Sequence, residues 1–363
     1  MIAVAVILFF YCILLLWLIS GWLMTKKIKL NNFSPSQVYS VIIPFRNEIN
    51  NLPELISSLK SIDFPKEKYE VLFIDDHSSD GSSTILEKEN FEVHLSQGDG
   101  KKTALETGIS LSKGDVILTT DADCVIKPQW IKYHALMHEQ EGAKLVSGGV
   151  TFSKTHTWFE KFQQMEFASL IGSGAATLKW GFSTMCNGAN LSFDKKTFNE
   201  VGGYSDNKNI PSGDDEFLMH KINQQTKKVK FIKHKEALVA TKAQPSLKLF
   251  YHQRKRWASK WKTYKNWKNS LLAVLVLLFN VGIIAAYLFI FITGFSNNLI
   301  LMLLIIKILL EGFFLFSVLR FLSQPFNLFI FILLQICYPF YAVMFGITAN
   351  FGHYQWKDRK HKL

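Results

Sequence analysis

The sequence predicts an α/β domain, a mostly parallel sheet with flanking helices, carried between N- and C-terminal transmembrane helices. Three observations predict it. Short β-branched runs alternate with helix-period stretches between residues 40 and 123. Acidic residues stand at the carboxyl end of one run after another. Residues 2–24 and most of 270–351 are apolar over lengths that suit a bilayer.

Composition agrees. The chain has 363 residues, 48% of them hydrophobic and 31 of them Phe, yet it carries 41 Lys+Arg against 29 Asp+Glu. Apolar and basic together point to a membrane protein with a positive cytoplasmic face. No basic helix with interleaved aromatics reads as a nucleic-acid groove, so no nucleic-acid partner is expected. Cys12, Cys124, Cys186 and Cys337 have no metal-ligand spacing, which fits a reducing compartment.

The first apolar segment, Ile2 to Met24, is followed by Lys26, Lys27 and Lys29 and preceded by no basic residue. A cleaved leader has the reverse flanks. The segment reads as an anchor with its N-terminus outside and Lys26 inside. The run from Ser270 follows Lys260, Lys262, Lys265 and Lys268, which set its start in the cytoplasm; Phe295 to Asn298 reads as the outer turn, and the next run returns to Arg320. Within it Lys307 and Glu311 are four apart, able to pair on one helix face or to mark a functional site. A third run, Phe326 to Phe351, is interrupted by Pro339 and followed by a basic tail. A full crossing would put that tail outside, so a re-entrant or interfacial segment around Tyr338–Pro339 is expected. The predicted domains are an anchor (1–30), a cytoplasmic domain (31–269) with an interfacial helix near 245–269, C-terminal membrane segments (270–351) and the tail (352–363).

In the cytoplasmic domain, "YSVIIPF", "YEVLFIDD" and "DVILTTDAD" read as strands. Leu52, Leu55, Ile56, Leu59 and Ile62 mark one helix, and "TALETGISLS" marks another. Ligands of such sheets bind beyond the carboxyl ends of the strands. Arg46 and Glu48, Asp75 and Asp76, and Asp121 and Asp123 collect there. Any single pair could serve solubility. Three sets on one rim point to chemistry.

Asp121 and Asp123 can share a hard divalent cation, Mg²⁺ or Mn²⁺, whose charge answers their repulsion and steadies a diphosphate. Gly98, Gly100, Lys101 and Lys102 precede a helix whose N-terminus favours anions. Asp214, Asp215 and Glu216 open an amphipathic helix, where acids are also plain dipole partners. "YHQRKRWASKW" reads as an interfacial helix, with Lys and Arg meeting lipid phosphates and Trp at headgroup level.

The stretches "SVIIPFRNE", "FIDDHSSDG", "GKKTALETG", "TTDADC", and "GDDEFL" with "QRKRW", in that order between Ser40 and Trp261, resemble the membrane-anchored inverting glycosyltransferases of family 2, whose fold is the GT-A nucleotide-sugar fold. "GANLSFDKKTFNEVGGY" is similar to that family's acceptor-side loop. The resemblance implies that Pro44, Arg46 and Glu48 lie around base and ribose. Asp76, with Asp75 beside it, would bind the uracil edge, and Lys101 would approach base or phosphates. Asp121 would lie near ribose and donor sugar, and Asp123 would hold the metal. Asp215 takes the place of the catalytic base, with Asp214 next to it. Gln253 and Trp257 would border the acceptor together with Asn187 and Gly188, and Arg256 the diphosphate. The family often has Glu where Asp214 stands and Asn where Glu106 stands.

The expectation is a metal-dependent hexosyl transfer from a UDP-linked sugar to a lipid or lipid-linked acceptor, at the cytoplasmic side of a bacterial inner membrane. The alternatives are a processive polysaccharide synthase, a nucleotidyltransferase and a non-catalytic nucleotide-binding scaffold. "PFRNEINN" lacks the glycines and basic residues of a pyrophosphate loop, which weighs against the nucleotidyltransferase.

Overall fold

The computed structural model describes residues 1–28, 33–207, 213–260, 267–294, 297–356 and 359–362. Lys29, Lys262, Lys265 and the turn residues Phe295 and Ser296 lie outside the described residues. In chain order the structure begins with α1 (Ile2–Met24), β1 (Tyr39–Phe45), α2 (Leu52–Lys60), β2 (Tyr69–Asp75), α3 (Ser82–Lys88) and β3 (Glu92–Leu95). Next come α4 (Lys101–Leu111), β4 (Val116–Thr119), α5 (Trp130–Glu139), β5 (Leu145–Gly148), β6 (Val150–Phe152), α6 (Trp158–Lys179) and β7 (Leu191–Asp194). They are followed by α7 (Lys195–Glu200), α8 (Asp214–Thr226), β8 (Val229–Ile232), β9 (Val239–Thr241) and α9 (Leu247–Ala258). The chain ends with α10 (Trp267–Thr293), α11 (Asn298–Phe321), α12 (Leu328–Thr348), β10 (His353–Trp356) and β11 (Arg359–Lys362). Two compact units result: Thr25–Lys154 with Thr177–Lys242, and Met1–Met24 with Thr155–Ala176 and Ala243–Leu363.

The first of these is the α/β unit. Its seven-stranded sheet has the order β3-β2-β1-β4-β7-β5-β8. β7 runs antiparallel to β4 and β5, while the remaining neighbours pair in parallel. β1 is buried at all seven residues, as a central parallel strand covered on both faces must be. Proline is rare inside such a strand because it has no N–H to give. Pro44 is tolerated because β1 leaves β4 after the Ile42–Thr119 rung and from there pairs with β2 alone. The two strands part there, which opens the sheet at its carboxyl edge. β3 and α3 were not among the predicted elements: "EVHL" is half-exposed at the sheet edge and lacks an apolar run.

Below the rim, Trp130 Nε1 donates to Asn190 Oδ1 at 2.9 Å, and His134 Nε2 meets the same oxygen at 2.9 Å. Asn190 Nδ2 donates to the carbonyls of Gly149 and Ala237, each at 2.8 Å. The rings of His134 and His138 both reach Ser192 Oγ, at 2.7 and 2.8 Å. This buried network ties α5 to the start of β7 and fixes the short turn Gly188–Asn190. A Cβ on Gly148 would lie 2.3 Å from Asn190 Nδ2, so that glycine is required by close approach.

In the other unit, four helices among the described residues are long and apolar enough to cross a membrane: α1, residues Ser270–Thr293 of α10, α11 and α12. Ala5, Leu8, Cys12, Leu15, Ile19 and Trp22 form the buried stripe of α1, and its other faces stay exposed. Lys307 pairs with Glu311 at 3.1 Å, the mutual ion pair that the sequence allowed. Gln335 bridges both, accepting from Lys307 at 2.6 Å and donating to Glu311 at 2.8 Å, and Tyr11 donates to Glu311 at 2.6 Å. α12 does not break at Tyr338–Pro339; it is one continuous helix containing Pro339. Its early part meets α11 at Phe331 and Gly312, and its late part meets α9, with Phe345 and Tyr251 ring centroids 5.4 Å apart. β10 then packs on α9.

The start of β1 hangs on one carboxylate. Glu139 accepts from Ser36 N (2.9 Å), Ser36 Oγ (2.5 Å), Gln37 N (3.3 Å) and Tyr39 OH (2.6 Å). Partial burial pushes Glu139 up, but the bonds from Ser36 and Tyr39 outweigh it and hold it below its ordinary value. A carboxyl lowered by folding adds stability that is complete above the unfolded pKa, about 4.5, and is lost as pH falls below it. Glu139→Gln should therefore lower stability by about 1–3 kcal/mol at pH 7, with the gap to wild type closing below about pH 4.5 in denaturant titrations. A gap independent of pH would show that the charge contributes nothing.

Candidate active site

The rim is assembled from strand ends. β2 delivers Asp75 and Asp76. Asp75 spends both oxygens on its own loop, accepting from Ser78 N at 2.7 Å and Ser83 Oγ at 2.5 Å. The backbone that follows β1 is braced to the same loop: Asn47 N donates to Ser78 Oγ at 3.1 Å, and Ser79 N to Asn47 Oδ1 at 2.9 Å. Arg46 Nη1 donates to the carbonyl of Asp76 at 2.7 Å, Glu48 Oε2 accepts from Asn51 at 2.6 Å, and Pro44 stays within β1. Asp76 Oδ1 accepts from Gly100 N at 2.8 Å, which fastens the β2 end to the start of α4. Gly100 has φ 95°, a conformation that a side chain would strain.

The next residue is Lys101, and its ammonium organises the site. Lys101 Nζ pairs with Asp121 Oδ1 at 2.5 Å, joining α4 to the turn after β4. Burial would lower Lys101, but Asp121 and Asp214 outweigh it, and Lys101 is held above its ordinary value. Lys102 also feels Asp214, Glu106 and Asp215, yet for it burial prevails and its amine is pushed down.

Asp214 and Asp215 open α8 behind Gly213, whose φ is 83°. Asp215 Oδ2 accepts from Gly188 N at 2.9 Å, and Oδ1 from Glu216 N at 2.8 Å. Gly188 is held in turn: Thr119 Oγ1 donates to its carbonyl at 2.6 Å. Asn187 caps the same turn, its Oδ1 accepting from Ala189 N at 2.9 Å. A Cβ on Gly188 would lie 3.5 Å from Asp214 Oδ2 and 3.6 Å from both Asp215 Cβ and Lys101 Nζ. That small space marks where the ends of β4, α4, α8 and the Gly188 turn converge. Tyr204 lines the same region: burial and then Asp214 and Asp215 push its phenol well up.

The rim therefore brings together Asp76, Lys101, Asp121, Asp214, Asp215, Asn187 and Gly188. Asp123 lies two residues beyond Asp121, half-buried, its Oδ1 facing Cys124 Sγ at 3.6 Å. Asp121 and Asp123 offer the hard oxygen donors that Mg²⁺ or Mn²⁺ prefers. A second group, Asp76, His77 and Asp99, has three ligand atoms within 4.8 Å of one another, with His77 and Asp99 exposed. Sequence reading overlooked His77, Thr119 and Tyr204. A neutral hydroxyl beside an acidic motif gives no signal of its own, since Thr119 matters only through the turn it holds. Gln253, Arg256 and Trp257 belong to α9 in the other unit, where the Trp257 ring lies tilted against Phe167 with centroids 5.8 Å apart.

Comparison with known proteins adds to this geometry. Residues 40–202 match the family described as Glycosyl transferase family 2. Glycosyltransferase AglE of Haloferax volcanii is 34% identical over 120 residues, 31% of this chain and 40% of that protein. Undecaprenyl-phosphate 4-deoxy-4-formamido-L-arabinose transferase of Proteus mirabilis is 31% identical over 140 residues, 36% of this chain and 42% of that protein. The chain thus spans well under two thirds of these relatives. Among solved structures, the mannosyltransferase PcManGT of Pyrobaculum calidifontis, in complex with GDP-Man and Mn²⁺, superposes with a TM-score of 0.54 at 17% identity, covering 96% of this chain and 97% of that one. The family 2 match occupies residues 40–202, and the fold around it is GT-A-like, a mixed sheet flanked by helices with membrane-length apolar helices at both ends of the chain.

Proposed function

We propose that this protein is a membrane-bound inverting glycosyltransferase. It moves a sugar from a nucleotide sugar, UDP-linked, to a lipid or lipid-linked acceptor at the cytoplasmic leaflet of a bacterial inner membrane. The observation that carries this reading is the fixing of Asp215 by the Gly188 N–H, beside a Lys101 ammonium that also holds Asp121. A base and a cationic phosphate contact then share one rim. The uracil assignment rests on Asp76, in the place where the resembling family binds that base.

Asp215 takes the proton of an acceptor hydroxyl. A carboxylate has more acceptor sites than the two N–H bonds use, so it can do this without releasing its anchors. The acceptor oxygen attacks the anomeric carbon from the face opposite the nucleotide, the bond to the diphosphate breaks, and the diphosphate leaves with the electron pair. One displacement inverts the centre. Lys101 supplies positive charge where the leaving group gains negative charge, a role that the family resemblance also gives to Arg256. Held by Asp123 and Asp121, a Mg²⁺ or Mn²⁺ ion would add Lewis-acid stabilisation of the diphosphate.

The end of the chain fits the same assignment. The late part of α12 meets α9, and β10 packs on α9, so the basic tail stays on the side of the "QRKRW" helix. On this reading α12, being one continuous helix, lies along the membrane interface and does not cross, and the positive-inside rule holds. A processive synthase remains the second reading because it uses the same "QRKRW" type of motif; long polymer made from nucleotide sugar alone would replace the lipid acceptor.

Incubating the purified protein with a panel of nucleotide sugars and total membrane lipid should yield a new glycolipid by mass analysis, with release of UDP. Asp215→Asn should keep nucleotide-sugar binding within about twofold and lower turnover by at least about a hundredfold; turnover like wild type would exclude Asp215 as the base. Mn²⁺ titrations followed by EPR should lose binding in Asp123→Asn and keep it in His77→Ala. The reverse pattern would move the cation to the Asp76 group. In sealed inside-out vesicles, a protease should remove a C-terminal tag; complete protection would mean that α12 crosses.

A further inference from the structure

Three helices of the membrane-side unit meet at a buried ion pair that the proposed chemistry does not use. Arg254 lies on α9, Glu166 on α6 and Tyr341 on α12, and the charged side chains are 3% and 2% exposed. Arg254 Nε donates to Glu166 Oε1 at 3.1 Å and Nη2 to Oε2 at 2.5 Å, a two-pronged contact. Tyr341 OH donates to Glu166 Oε1 at 3.0 Å. The other side of the guanidinium faces the motif. Nη1 donates to Gln253 Oε1, and the guanidinium carbon sits 4.3 Å from the Trp257 ring centroid and 4.5 Å from that of Phe250.

Burying two charges is costly, and well-packed apolar side chains would stabilise a three-helix junction at least as well. What apolar side chains could not do is orient an amide and an indole. Resting on the functional reading above, we propose that Arg254, locked by Glu166 and Tyr341, is a positioning residue that sets Gln253 and Trp257 for the acceptor. Because Arg254 takes the amide oxygen of Gln253, the group left to a ligand is the amide NH₂. That donor suits an acceptor-side ligand with a hydrogen-bond-accepting oxygen, a hydroxyl or phosphate, lying near a flat indole.

Removing one charge would leave the other buried and unpaired, so the decisive variant removes both: Glu166→Met with Arg254→Met, in the full chain in nanodiscs. Labelling with fluorinated tryptophan, with the Trp257 line assigned through Trp257→Phe, reads the indole by fluorine NMR. With total membrane lipid as acceptor, the double variant should keep its unfolding midpoint, shift and broaden the Trp257 line, and raise the acceptor KM by about tenfold while the nucleotide-sugar KM changes by less than about twofold. The charge swap Glu166→Arg with Arg254→Glu restores pairing but cannot donate to Gln253 or stack on Trp257, so it should resemble the double variant; rescue by the swap would reduce the pair to a structural role and overturn the proposal. An unmoved Trp257 line with an unchanged acceptor KM would also overturn it. Should the double variant not fold, Arg254→Lys keeps the charge, loses the fork, and is read in the same way. A wild type that transfers no sugar would sink the functional reading alone, since the fluorine line still decides whether Arg254 positions Trp257.

Discussion

Carboxylates gathered at one edge of a sheet repel one another, and the α/β unit is arranged around the ammonium that answers them. Lys101 stands at the first residue of α4, pairs with Asp121 after β4, and feels Asp214 and Asp215 at the start of α8. Like charges brought together without such a partner would have to protonate or move apart. With it, three elements distant in sequence end at one place. The strands help, because β1 and β4 part after the Ile42–Thr119 rung and leave the turn carrying Asp121 and Asp123 uncovered by the ladder.

Around that charge centre the backbone does much of the fixing. Gly100 N holds Asp76, Gly188 N and Glu216 N hold Asp215, and Thr119 holds the Gly188 carbonyl. The Gly188 turn is set from beneath by Asn190, which Trp130 and His134 engage in the core. Packing of α5 on β7 is thus transmitted through one buried amide to the carboxylate proposed as base. The membrane-side unit uses a related device: polar groups are buried only in joined sets, Glu166 with Arg254 and Tyr341, and Glu311 with Lys307, Gln335 and Tyr11. In low dielectric an incomplete set would be expensive, and these sets pin specific helices to each other.

Much of this was legible along the chain. Short apolar, β-branched runs located β1, β2 and β4, helix-period stretches located α2, α4 and α8, and long apolar segments located the membrane-length helices. The acidic ends of β2 and β4 and the start of α8 were visible as candidate chemistry because charge at the end of a buried strand is costly without a purpose. β3 escaped because four half-exposed residues carry too little pattern. β7 escaped because its four residues lie inside the stretch read as an acceptor-side loop. Pro339 misled because a proline removes one helical hydrogen bond, and neighbouring helices can supply the packing that keeps the turn wound.

By itself the sequence determined which residues are apolar, which are charged and at what period, and hence many of the helices and strands and the edge at which the candidate site residues collect. Only the tertiary structure decided the partners: that Lys101 answers Asp121, that Gly188 holds Asp215, and that Arg254 turns from Glu166 to Gln253 and Trp257. The reason is physical. Periodicity is a local property of the chain, set within a few residues by backbone geometry, whereas a hydrogen bond between residues 27 or 88 positions apart exists only after the chain has closed those loops around a common core.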